Sequence, residues 1–113
     1  METLINRSDG RDDGEHWTEN YEELPGGAGI SIILESTTQE GVGPRLHRHP
    51  YAETFVIRRG WATFTVGTDE VVGHAGQVLV VPADTAHRFR TGPDGYEGVH
   101  IHASDRFVTE WLE

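Results

Sequence analysis

The stretch Gly41 to Gly60, GVGPRLHRHPYAETFVIRRG, decides the reading of this chain, together with Gly76 to His87, GQVLVVPADTAH, downstream. Side chains on a strand alternate faces with a period of two. His47 and His49 therefore point the same way, and Glu53 and Phe55 share that parity once the strand resumes after Pro50. Pro50 cannot donate to a ladder and biases His49 toward extended geometry, which predicts a bend between the histidine pair and a strand over Glu53 to Arg58. In the second stretch Gln77 to Val81 is a short apolar run, Pro82 to Thr85 has turn composition, and His87 opens the next strand. A sheet curled into a barrel can turn His47, His49, Glu53 and His87 onto one divalent metal ion. Imidazole nitrogen and carboxylate oxygen suit iron, manganese, nickel, cobalt, copper or zinc, and the absence of cysteine excludes thiolate sites.

Gly41, His47, His49, Glu53 and Gly60 resemble the first signature of the cupin superfamily at each defining position, and Gly76, Pro82, Asp84 and His87 resemble the second. Two positions depart from that pattern: Asp84 stands where the family most often has glycine, and Thr91 where it has asparagine. The resemblance implies an all-β fold, a single-domain cupin-type double-stranded β-helix or jelly-roll barrel, with the metal inside. It also implies a spread of activities, from dioxygenases acting on enols, thiols or diketones to isomerases, decarboxylases and hydrolases, and it favours a homodimer.

At 113 residues the chain forms one domain. Its 19 acidic residues outnumber 9 basic ones, all arginine, and a net charge of -10 repels phosphate backbones, so nucleic acid is not an expected partner. No apolar run approaches the ~20 residues of a membrane span, and the start lacks the basic and apolar stretches of a secretory signal, which predicts a cytoplasmic protein. Residues 1–29 read as an acidic, partly extended N-terminal arm and residues 30–113 as the barrel. Within the arm, His16 beside Trp17 reads as a surface histidine, because no partner ligand lies near it in sequence.

Along the barrel, Ile30 to Ser36 is short and β-branched, hence a strand. Arg45 shares the parity of His47 and His49 and is a candidate for holding an anionic substrate group at the barrel mouth; the plainer alternative is a rim arginine paired with an acid. Glu53 to Arg58 and Trp61 to Val66 read as two strands joined by a tight hairpin at Arg59-Gly60, with Phe55, Ile57, Phe64 and Val66 lining the interior. His74 reads as an exposed loop residue between glycines. Val78 to Val81, wholly apolar, reads as a strand covered on both faces. Phe89 and Thr91 share the inward parity of His87, and Gly92-Pro93-Asp94-Gly95 reads as a turn. In Tyr96 to Ala103 either His100 and His102 face the cavity or Val99 and Ile101 do; aliphatics inward is the default for a core strand, whereas the other arrangement adds imidazoles able to move protons near neutral pH. Ser104 to Glu113 fits a terminal strand or one helical turn, and its Phe107, Trp111 and Leu112 are expected to dock on the barrel or across a dimer interface.

Three imidazoles and one carboxylate leave open positions on a six-coordinate ion, so a small oxygen-rich organic substrate can chelate it. Glu53 is the candidate catalytic residue, able to release the ion and take a proton. Arg45, Phe55, Phe64, Phe89, His100 and His102 are candidate substrate contacts. The reading is a metal-dependent enzyme, dioxygenase-like or a lyase or isomerase. The alternatives are a non-catalytic module that binds or senses a small ligand, and a structural barrel holding an incidental zinc.

Overall fold

The computed structural model describes residues 3–6, 11–12 and 14–113, so part of the expected acidic arm, residues 1–2, 7–10 and 13, lies outside the described residues. Among the described residues every regular element is a strand: β1 (Arg11–Asp12), β2 (His16–Tyr21), β3 (Ser31–Thr37), β4 (His47–Arg48), β5 (Glu53–Val66), β6 (Asp69–His74), β7 (Val78–Val81), β8 (His87–His102) and β9 (Glu110–Trp111). All pairings are antiparallel, in the order β1-β2-β3-β8-β4-β9, with β5 joined to β6, β7 and β8. The all-β, single-sheet curl of a cupin-type barrel is thereby established. No helix among the described residues is long and apolar enough to cross a membrane.

The two long strands carry the architecture. β8 holds β3 along Tyr96 to His102 on one side and β5 along nearly its whole length on the other. β5 is one strand of 14 residues rather than the expected hairpin. Its edge facing away from β8 switches partner, from β7 at Glu53 to Val56 to β6 at Trp61 to Val66, and the switch is absorbed by register shifts between Ile57 and Arg59 and between Gly60 and Ala62. Gly60, at φ 68°, supplies the left-handed residue of that irregularity, and a Cβ there would run into the Gly95 carbonyl. The Gly92-Pro93-Asp94-Gly95 segment is likewise not a chain reversal. It bulges within the continuous β8 opposite Trp61, whose indole covers Gly92 and donates Nε1–H to Asp94 at 3.1 Å.

The core is small and aromatic: Phe55, Ile57, Ala62, Phe64, Val81, Phe89 and Tyr96 are buried. Phe55, Phe64 and Phe89 meet with ring centroids 5.1 to 6.1 Å apart, and each large side chain removed from water contributes about 1.5–3 kcal/mol. β7 departs from expectation. Val78 and Val80 are 59% and 55% exposed, because none of the described residues covers the outer face of this strand. His74 is exposed as expected, but ends β6 rather than lying in a loop.

The two departures from the cupin signatures have local explanations. Asp84 takes φ 60°, a conformation that aspartate tolerates better than most residues, so it occupies a glycine-type position. Thr91 accepts a hydrogen bond from the Val42 amide at 3.0 Å and donates to the Gln39 carbonyl at 2.7 Å, tying the loop before the histidine pair to β8.

Candidate metal centre

Four donors converge. Ligand atoms from His47, His49, Glu53 and His87, all buried, lie within 4.8 Å of one another. His47 comes from β4, Glu53 from the first residue of β5, His87 from the first residue of β8, and His49 from the bend at Pro50. Antiparallel pairing sets His47 directly against His87.

Each ligand imidazole is oriented by a backbone carbonyl. Nδ1–H of His47 donates to Arg45 at 2.7 Å, that of His49 to Val108 at 2.9 Å, and that of His87 to Thr85 at 2.8 Å. A carbonyl can only accept, so Nδ1 carries the proton and Nε2 is left with a lone pair. Those lone pairs face a carboxylate: Nε2 of His87 is 3.0 Å and Nε2 of His49 3.1 Å from Glu53 Oε1, and Nε2 of His49 has no hydrogen-bond partner. Electron-rich atoms packed this closely repel unless a cation sits among them. Two donors ~2.1 Å from one ion at a right angle stand about 3 Å apart, the spacing found here. The four residues fit one divalent metal ion.

Burial pushes the Glu53 carboxyl up; with no ion present, a proton on the Nε2 of His49 or His87 stands in for the cation, and hydrogen bonding from those imidazoles outweighs burial and holds the carboxyl below the usual carboxylate range. Burial pushes His47 down, toward the neutral form that a metal ligand needs. His102 adds a third imidazole to the carboxylate, Nε2 to Oε1 at 3.4 Å, and burial lowers it to about 4, so it stays neutral.

Here the aliphatic-inward default for β8 fails. His100 and His102 are each 2% exposed and turn inward, while Val99 and Ile101 are half-buried on the other face. The interior at this end is a polar cavity rather than a dry core, so histidine is the residue that fits. His100 packs between Phe55 and Phe89, and its Nε2 meets the Tyr96 hydroxyl at 2.8 Å. Gly98 makes room for that pair, since a Cβ would collide with the Tyr96 hydroxyl and His100 Nε2.

Beyond the donors opens a cavity of about 660 Å³. Phe55, Phe89, His100 and His102 line it; Phe64 lies behind them in the core. Arg45 is exposed, with its guanidinium 4.8 Å over the Trp111 ring and outside the cavity wall. Residues 104–113 form a strap. β9 pairs with β4, Trp111 faces His47 with centroids 5.2 Å apart, and Phe107 packs on His102 at 5.0 Å.

Two wall residues revise the sequence reading: Glu35 is not among its candidates, and His16, read as a surface histidine, is half-buried in the cavity wall. Glu35, 9% exposed, faces the cavity from β3, and His16 from β2 sets its Nε2 3.7 Å from the carboxylate. Burial, with Glu53 adding to it, raises Glu35 to about 7. The inward parity of Glu35 with Ile33 was the available signal, masked by the β-branched composition around it.

A family model described as "Cupin domain" matches residues 20–95. Among solved structures, oxalate decarboxylase of Bacillus subtilis at pH 4.6 superposes with a TM-score of 0.78 at 18% identity, over 99% of this chain and 33% of that one. The formate complex of oxalate decarboxylase from Lactobacillus farciminis gives a TM-score of 0.77 at 20% identity, over 99% and 38%. The chain thus spans about a third of the length of these neighbours, and identities this low carry the fold alone. No curated protein matches the chain.

Proposed function

This chain belongs to the cupin domain family, and from that membership we propose that it is a metal-dependent enzyme acting on a small oxygen-rich organic molecule, by dioxygenase-like, lyase or isomerase chemistry. The observation that supports this is the placement of the four donors at the edge of a cavity large enough for a substrate, so that a guest can reach the ion from the open side. When bound, the ion supplies Lewis acidity toward substrate oxygen.

The chain's own groups do the rest. The carbonyls of Arg45, Thr85 and Val108 hold the imidazoles in one tautomer, and Phe55, Phe89 and Trp111 exclude water and flank the guest. Glu53 is the proton acceptor nearest the reacting atoms, with His102 against its Oε1. A homodimer also belongs to the proposal, with the exposed Val78 and Val80 as apolar surface for it, testable by light scattering.

The test is to load the chain singly with iron, manganese, cobalt, nickel, copper or zinc and offer it organic acids, enols and diketones, following oxygen uptake and carbon dioxide release. Turnover abolished by a chelator supports an enzyme. Full metal occupancy with ligand binding and no turnover for any ion rejects it in favour of a binding module.

A further inference from the structure

The cavity beyond the donors is built for a different guest than an oxalate-like dianion. Among the described residues its wall contains no arginine or lysine, and it carries two buried carboxylates, Glu53 at the donor end and Glu35 on β3. A second carboxylate on a guest would find no cation among those residues and would face the like charge of Glu35. Its volume, about 660 Å³, also lies within the ~300–1,000 Å³ of sites that hold drug-sized molecules, well beyond the needs of two carbons.

Glu35 has the marks of an unfilled acceptor. Among the described residues its carboxylate makes no hydrogen bond shorter than the 3.7 Å approach of His16, and Thr18 and Asn20 from β2 line the same wall. A largely buried carboxylate with only His16 nearby is costly to ionise, which agrees with its raised pKa, and a hydroxyl donated by a guest lowers that cost. The register places it. On β8 the partner of Glu35 is Gly98 and that of Glu53 is His102, so the two levels are separated by about 13 Å of strand, with His100 between them. Both side chains reach into the space between, leaving room for one ring with a short arm, and Phe55 and Phe89 offer that ring an apolar wall.

We infer that the guest carries no second carboxylate: it has a chelating oxygen end at the metal donors and a distal hydroxyl that donates to Glu35. This inference rests on the proposed metal site only for the chelating end.

Kojic acid and allomaltol are hydroxypyranones with the same chelating end, which gives up one proton to a bound ion; only kojic acid carries the distal hydroxymethyl oxygen. The zinc-loaded full chain is titrated with each, and with oxalate, in slightly alkaline buffer, reading the imidazole proton shifts of His16 and His100, with zinc content measured separately. Kojic acid is expected to bind about tenfold tighter than allomaltol, and oxalate weaker than either. In Glu35→Leu that tenfold preference disappears, while Glu35→Gln, which keeps an acceptor oxygen, retains part of it. Oxalate binding tightest, no shift with either hydroxypyranone, or a preference unchanged in Glu35→Leu overturns the inference. Failure to take up zinc sinks the metal reading instead, and the kojic acid preference is then read on the same shifts in the metal-free chain.

Discussion

At the residue scale, the alternation of side chains across a strand carried most of the site. His47, His49 and Glu53 are close enough in sequence for parity to settle which way they point, and the fixed signature spacing added His87. A test follows from each imidazole being a ligand. Losing a mere outer partner of a ligand typically costs 10–100-fold in metal affinity, so His49→Ala should lose at least about tenfold, measured as metal retained after dialysis against a graded chelator. Equal retention by both proteins contradicts the assignment. Parity misled on β8 because it says which residues share a face, not which face is wet; the aliphatic default presumes a dry interior, and His100 and His102 line a polar one. The same blindness hid Glu35, whose consequence is a pH effect. A carboxyl with an ordinary value of 4.5 that titrates at about 7 when folded binds its proton more tightly in the folded state. Its favourable contribution is complete below pH 4.5, fades as pH rises, and is gone above about 7. Glu35→Gln should therefore match the wild type in acid and exceed it by up to about 3 kcal/mol above neutrality, in denaturant titrations of the metal-free proteins. His100, lowered to about 4 by burial, works in the opposite direction and cancels in the comparison, because both proteins carry it. A difference that does not grow with pH would show that Glu35 is solvated.

At the element scale, glycine and proline marked where the chain does something irregular but not what. Gly60 and the Gly92 to Gly95 segment have the composition of turns, and both became bulges within long strands, because β8 and β5 hold each other on both sides of the irregularity. Local composition cannot report a partner dozens of residues away. Short strands with no glycine or proline, such as β3, were legible for the opposite reason: nothing in them breaks extension. Two glycines separate the causes of strain. Gly60 and Gly76 both have positive φ, at 68° and 92°, but an added Cβ strikes the Gly95 carbonyl at Gly60 and meets nothing within 4 Å at Gly76. Gly76→Ala should cost only the left-handed conformation, about 1–2 kcal/mol, whereas Gly60→Ala should cost more by a further ~1–3 kcal/mol, since the β5–β8 pair must part. Thermal denaturation of the two variants decides this, and equal losses would mean the bulge relaxes freely.

At the scale of the whole molecule, the metal site is a junction between elements. Its donors come from β4, β5, β8 and the Pro50 bend, and His49 is tied through Val108 to the strap that Leu112 fastens to Leu46 with a 2.9 Å hydrogen bond. With so modest a hydrophobic core, a cation that binds only the folded arrangement should raise its stability by mass action: at a hundredfold excess over its dissociation constant, by about 2.7 kcal/mol. For a chain of this size that corresponds to a Tm higher by roughly 10 °C. Adding a chelator to the metal-loaded wild type should remove this increment and leave the Tm of His49→Ala almost unmoved. A chelator shift of the same size in both proteins would place the stabilising ion elsewhere, among the surface carboxylates that give the chain its net charge of -10. The strap supplies an internal control. Trp111 covers His47 without donating to the ion, so Trp111→Ala should keep the chelator-sensitive increment and speed metal exchange, separating closure of the site from its assembly.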